Sequence, residues 1–303
     1  MADIPSTSVA ERTMAFMRRK SKAILTMNIV LVIINLFVFV MQGSKRPVDL
    51  WMFDSIMDDA ARSRFDSLLH TFTSLMDQHN ITYFMYQGTL LGSYRHHGHM
   101  RWDDDIDFML NVSDRPKVKE ITEGMGIKYA YYNRGPVQVL KFFVRKSPYL
   151  PAESEEKDVT WPHVDVSFYV ENDTHIWDPA WAWMGYVFHK SEVFPLVKRP
   201  FDGLILPAPR DANKVLSKTY DMNVCRTHMF NHKLFVVIPY FLTAEKQCDS
   251  LRDRVPFVHR TVEGCKVTER LKLHGWTIQE FNTTLPCDKS FGKQNTSFLL
   301  ESG

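Results

Sequence analysis

The sequence predicts an α/β (α+β) architecture, a mixed sheet flanked by helices, preceded by a single transmembrane helix. Three observations carry this. An uncharged apolar run extends from Ala23 to Met41, a strongly periodic helical segment follows it, and short apolar strand-like runs then alternate with helices between residues 56 and 223. The 303 residues suffice for one good-sized domain plus additions. The formal net charge of +2 neither favours nor excludes nucleic acid as a partner.

The apolar run "AILTMNIVLVIINLFVFVM" contains only Thr26, Asn28 and Asn35 as polar residues. As a helix it would be roughly 28 Å long, about the thickness of a bilayer's hydrocarbon core. Arg12, Arg18, Arg19, Lys20 and Lys22 precede it, whereas only Lys45 and Arg46 follow closely. This bias predicts a type II signal anchor with everything after Met41 in the lumen of the Golgi or ER. The alternatives are a cleaved signal peptide and a buried core helix. The run is long for the former, and no small-x-small cleavage site follows closely. The expected organisation is a cytosolic tail (1–22), an anchor (23–42), a stem (43–55), a catalytic-type domain (56–223) and a cysteine-containing lumenal appendage (224–303).

Two further features agree with a lumenal setting. Acceptor patterns for N-glycosylation begin at Asn80, Asn111, Asn172, Asn282 and Asn295, the first two abutting predicted strands. The four cysteines, Cys225, Cys248, Cys265 and Cys287, favour two disulfides with three possible pairings. Structural zinc is the alternative, weakened by the lack of a C-x-x-C pair.

Phe65, Leu68, Leu69, Phe72, Leu75 and Met76 mark an amphipathic helix ending near Asn80. "ITYFMYQ" reads as a buried strand, "TLLGSYRHH" as a turn and brief helix, and "DIDFMLNV" as a second strand. "DRPKVKEITEGMG" fits a helix with Pro116 in its first turn and Gly124 near its end. "IKYAYYN" and "VQVLKFFV" are strand-like around an Arg134-Gly135-Pro136 turn, and "HVDVSFYV" is another strand.

On a strand, Asp103, Asp105 and Asp107 would share one face, while Ile106, Phe108 and Leu110 point into a core. Carboxylates two residues apart sit about 7 Å from each other and repel by roughly 2.4 kcal/mol at an effective dielectric of ~20. A cation must relieve this, and Mg²⁺ or Mn²⁺ suits hard oxygen ligands. A solvated acidic edge is the bland alternative. Asp165, between two valines on a later strand, is the candidate third carboxylate, as ligand or as base. A strand aspartate paired with Lys141 is its alternative. Asp103 is expected to contribute to the metal set, and Asp104 to point away from it.

"QGTLLGSYRHHGHMRWDDDIDFML" and "HVDVSFYV" resemble the nucleotidyltransferase superfamily, in which glycine-serine, a spacer, Asp-x-Asp and a third carboxylate recur. More narrowly they resemble the LicD/fukutin family, and "LILPAPRDANKVLSKTYD" resembles its closing segment. The resemblance covers roughly Ile81 to Asp221. It departs at Met100 and Arg101, where members usually carry a small apolar residue and proline. It implies a nucleotidyltransferase-type fold and metal-dependent transfer of a phospho-substituted group, phosphocholine or an alditol phosphate. The donor would be CDP-activated and the acceptor a glycan hydroxyl on a glycoprotein or glycolipid. Asp105, Asp107 and Asp165 would then be catalytic, with Asp103 joining them as metal ligands. Gly92 and Ser93 would seat the donor phosphate, and Arg95 either neutralises it or is a surface or capping arginine.

His96, His97 and His99 suggest zinc, though the neighbouring carboxylates favour a harder ion. Trp102 is expected beneath the acidic strand, and Trp177, Trp181 and Trp183 either in a core or as a sugar platform. Rival readings are a D-x-D glycosyltransferase and a non-catalytic glycan-binding or scaffolding protein. Addition of nucleotides to RNA conflicts with a lumenal domain.

Overall fold

The structure is a computed structural model describing Ile29 and residues 50–134, 139–227 and 229–284. The expected membrane anchor lies outside the described residues apart from Ile29, which is helical. Among the described residues, no helix is long and apolar enough to cross a membrane. Residues 1–50 and 51–303 are separate units, and the second holds the architecture described below.

Helix α1 (Asp59–Gln78) begins where the Asp58 side chain accepts the Ala61 amide at 2.7 Å, a direct N-cap. Its periodic face, from Phe65 through Phe72 to Met76, is buried as the spacing predicts. The chain then turns at Asn80, whose φ is 53°. Strand β1 (Tyr83–Met85) leads into α2 (Gln87–His96), and β2 (Ile106–Asn111) into α3 (Arg115–Gly124). Next come β3 (Tyr129–Asn133), β4 (Leu140–Val144), β5 (Glu153–Ser154) and β6 (His163–Glu171).

These strands form one mixed sheet in the order β1-β2-β6-β4-β3-β5. β2 and β6 are parallel, whereas β4 runs antiparallel to both β6 and β3. β7 (His175–Trp177) and β8 (Val187–His189) extend it from the end of β6. The predicted α/β class is therefore observed, with helices packed on the sheet.

One face of the sheet is apolar. Ile106, Phe108 and Leu110 of β2 share it with Val164, Val166 and Phe168 of β6, all essentially inaccessible to solvent. Phe72 of α1 stacks on Phe108 at 5.3 Å and lies 5.7 Å from Phe142 of β4. Period-two alternation turns Asp107 and Asp165 to the opposite face.

The chain continues through β9 (Val197–Phe201), β10 (Leu204–Ala208) and α5 (Ala212–Ser217), after a short helical turn α4 (Lys190–Val193). The C-terminal part contains β11 (Val224–Arg226), paired with β14 (Glu245–Gln247). Between them lies a small hairpin of β12 (Phe230–Asn231) and β13 (Val236–Val237). An antiparallel meander of β15 (Phe257–Glu263), β16 (Lys266–Leu273) and β17 (Trp276–Thr284) follows.

A Cys225–Cys248 disulfide selects one of the three pairings, and Cys265 is also disulfide-bonded. Cys287 lies outside the described residues. The meander is locked to the rest by buried Glu269, which accepts from Arg199 at 2.9 and 3.0 Å, Arg260 at 2.8 Å and His97 at 3.0 Å.

Candidate active site

The register of the sheet builds the site. Asp107 on β2 lies directly opposite Asp165 on β6, and Asp165 lies opposite Lys141 on β4. Residues that are cross-strand partners project to the same face, so the three form one row. Asp105, immediately before β2, completes the cluster: Asp105, Asp107 and Asp165 each bring an oxygen within 4.8 Å of the others. All three carboxylates are buried.

Their electrostatics diverge. Burial, and the charges of Asp105, Asp165 and Asp103, push the Asp107 carboxyl well above the ordinary range. Burial also acts on Asp165, but Lys141 Nζ, 2.7 Å from both of its oxygens, outweighs it and holds that carboxyl low. His163 Nε2 lies 3.1 Å from the same ammonium, and burial lowers its ring to about 4. Asp165 thus combines both readings offered by its sequence, the lysine-paired aspartate and the third acid.

The helix start beside this cluster comes from residues the spacing argument passed over. Gly88, in the first turn of α2, sits against the acids: a Cβ there would lie 2.9 Å from Asp103 Oδ2 and 3.6 Å from Asp107 Oδ2. Thr89 Oγ1 accepts the Asp107 amide at 2.7 Å, and no side chain caps the helix at Tyr86. The open amides and the positive end of α2 therefore meet the acidic face at Gly88–Thr89. A signal for this was present, since these residues directly follow the first predicted strand.

Gly92, Ser93 and Arg95 lie elsewhere on α2 and have other partners. A Cβ on Gly92 would lie 2.5 Å from the Gly98 carbonyl oxygen, so glycine is needed for packing against the following loop. The buried Ser93 hydroxyl donates to the Pro200 carbonyl at 2.8 Å. Arg95 Nη2 donates to the carbonyls of Asp221, Met222 and Val224 at 2.9–3.0 Å, and burial lowers its guanidinium to about 10. These three residues thus tie α2 to the following loop, to β9 and to the chain after α5.

Asp103 is buried next to Gly88, in the segment entering β2, and is not one of the three clustered ligands. Asp104 is not idle. Its oxygens accept from His232 Nδ1 at 2.7 Å and from the His232 amide at 3.0 Å. His232 Nε2 reaches Asp105 Oδ2 at 3.1 Å, so Asp104, Asp105 and His232 form a second potential ligand group. Phe235 of the same hairpin packs 5.7 Å from His163 and 5.8 Å from Lys141 Nζ. Sequence reasoning missed His232, because no motif or periodicity links "FNHK" to an acid run more than a hundred residues earlier.

The other histidines diverge. His96 meets the Pro256 carbonyl at 2.7 Å, His97 meets Glu269, and His99 pairs with Asp202. That separates the three rings and removes the zinc reading. Trp102 is buried, edge-on to Phe53 at 5.0 Å and to His96 at 5.7 Å. Trp183 is 78% exposed and Trp181 38%, so neither is a core residue.

Residues 80–211 match the family described as LicD/FKTN/FKRP, nucleotidyltransferase domain. The chain carries a LicD-family domain. The match holds α2, both acidic strands and the Asp105–Asp107–Asp165 cluster, and it ends before His232. LicD-family proteins are typically transferases, and the two ligand groups in this site, Asp104–Asp105–His232 and Asp105–Asp107–Asp165, are compatible with a divalent metal. No curated protein matches the chain.

Proposed function

We propose that the chain is a membrane-anchored lumenal phosphotransferase that moves a phospho-substituted group, phosphocholine or an alditol phosphate, from a CDP-activated donor to a glycan hydroxyl. The observation that carries this reading is the convergence of Asp105, Asp107 and Asp165 beside the open start of α2, within a LicD-family domain.

The donor set fits a hard divalent cation. Three carboxylates on one face supply oxygen ligands suited to Mg²⁺ or Mn²⁺, and the raised Asp107 carboxyl reports charge that such an ion would neutralise. When bound, the ion offsets charge on the phosphate oxygens during displacement. Asp105 and Asp107 would hold it, with Asp165 as the third ligand. A carboxylate kept low by Lys141 is a weak base, which favours the ligand role for Asp165 over proton abstraction. The first-turn amides at Gly88 and Thr89 would face the donor phosphate, and the glycine leaves room for it. The hairpin carrying His232 and Phe235 covers one side of the cluster and limits its access to water.

The test is CMP release by the full chain from a panel of CDP-linked donors with Mn²⁺ and a glycan acceptor. Asp107→Asn should abolish release while unfolding by heat at the wild-type temperature. Release of UDP or GDP from sugar nucleotides instead would favour a glycosyltransferase. Wild-type turnover by Asp107→Asn would refute the ligand assignment.

A further inference from the structure

Two segments far apart in sequence carry exposed apolar side chains that meet at one groove. Trp51 is 66% exposed and Ile56 50%, at the start of the folded unit. Leu234, Val237, Tyr240 and Leu242 are 66%, 72%, 68% and 46% exposed, in and just after the β12–β13 hairpin. Trp51, Ile56 and Leu242 line one groove of about 190 Å³ whose floor includes Trp102 and Asp104. Trp51, Ile56 and Leu242 therefore converge, with Tyr240 in the same helical turn as Leu242, and Asp104 lines the same groove. Nearby Asp54 is paired with Arg254 at 2.7 Å, so the acid beside Trp51 is neutralised. A monomeric soluble protein rarely leaves so many large apolar groups together in water.

The chain itself says what meets this surface. Residues 42–50 separate the apolar run ending at Met41 from the folded unit that starts at Trp51. Extended, those nine residues reach at most about 32 Å. If the run spans a bilayer, Trp51 cannot leave the neighbourhood of the membrane surface. Tryptophan and tyrosine beside aliphatic side chains is the composition favoured at such an interface.

We propose that the surface formed by Trp51, Ile56, Tyr240 and Leu242 docks onto the lipid bilayer. Docking holds the acidic site at the headgroup level instead of letting it swing freely on its stem. The inference rests on the anchor reading, and the experiment separates the two. The full chain is reconstituted in zwitterionic phosphatidylcholine vesicles, with and without bromine on the acyl chains, and tryptophan quenching is measured. Carbonate-resistant sedimentation with the vesicles reports the anchor.

Wild type should sediment with vesicles and be quenched. Trp51→Phe should lose that quenching, whereas Trp276→Phe, altering a tryptophan 80% exposed on the meander, should keep it. Leu242→Asp should sediment as wild type but show loss of Trp51 quenching. Retention without any quenching at Trp51 overturns the docking surface alone. Failure to sediment overturns the anchor and the docking with it. Retention with Trp51 shielded in a cross-linked pair of chains assigns the surface to a second copy and also overturns the proposal.

Discussion

Replacing Glu269 with glutamine removes one negative charge where two guanidiniums and a histidine ring converge in the interior. Glu269 is 1% exposed, Arg199 7% and Arg260 15%, with contacts between 2.8 and 3.0 Å. At an effective dielectric of ~20, each guanidinium contact carries roughly 6 kcal/mol of gross attraction. Most of that offsets the desolvation of the ions. Breaking a buried pair from one side costs about 3–5 kcal/mol, because the partner charges stay behind uncompensated. The expected loss for Glu269→Gln is in that range, read from urea unfolding of the full chain in detergent micelles by tryptophan fluorescence. Burial pushes the Glu269 carboxyl up, but Arg260 and Arg199 outweigh it and hold the group below the usual carboxylate range. Its contribution is therefore complete above the unfolded value near ~4.3 and is lost as pH falls below that towards the folded value. Wild type should lose its advantage over the variant between about pH 4.5 and pH 2. A loss below about 1 kcal/mol, as for an exposed pair, would refute the locking role.

Two further predictions concern α2 and the chain it grips. Gly88→Ala would force a Cβ to within 2.9 Å of Asp103 Oδ2, so Mn²⁺ affinity by calorimetry and transfer rate should both fall, by about 10–100-fold. Unchanged Mn²⁺ binding would separate this helix start from the acidic cluster. The Cys225–Cys248 bond closes a sequence separation of 23 residues, so a Cys225→Ser/Cys248→Ser pair should lose about 3 kcal/mol of stability. The same pair should loosen the Arg95 contacts, visible as faster hydrogen exchange after α5; protection equal to wild type would count against that coupling.

Much of the domain was legible because hydrophobic period reports burial directly. The spacing from Phe65 to Met76 foretold α1, and the alternation around Asp107 foretold an acidic face backed by Ile106, Phe108 and Leu110. Partners chosen by long-range packing were not legible. "GTLLGSYR" contains two glycines followed by a hydroxyl residue, and local pattern cannot say which pair faces the acids. Only strand register puts Gly88 and Thr89 there and turns Ser93 towards Pro200. His232 arrives from a hairpin whose position depends on the whole C-terminal part, so its meeting with Asp104 and Asp105 leaves no trace in local spacing.

The ammonium of Lys141 has a consequence for how the protein comes of age. It is covalently part of the sheet and already sits between the two oxygens of Asp165. Small metal-nucleated folds stay disordered until their ion is delivered. Here a lysine serves as resident counter-ion, so the strands can assemble in a chelator-rich or metal-poor environment. Under the metal reading, loading would then be a late event that arms a finished scaffold, decoupled from its birth.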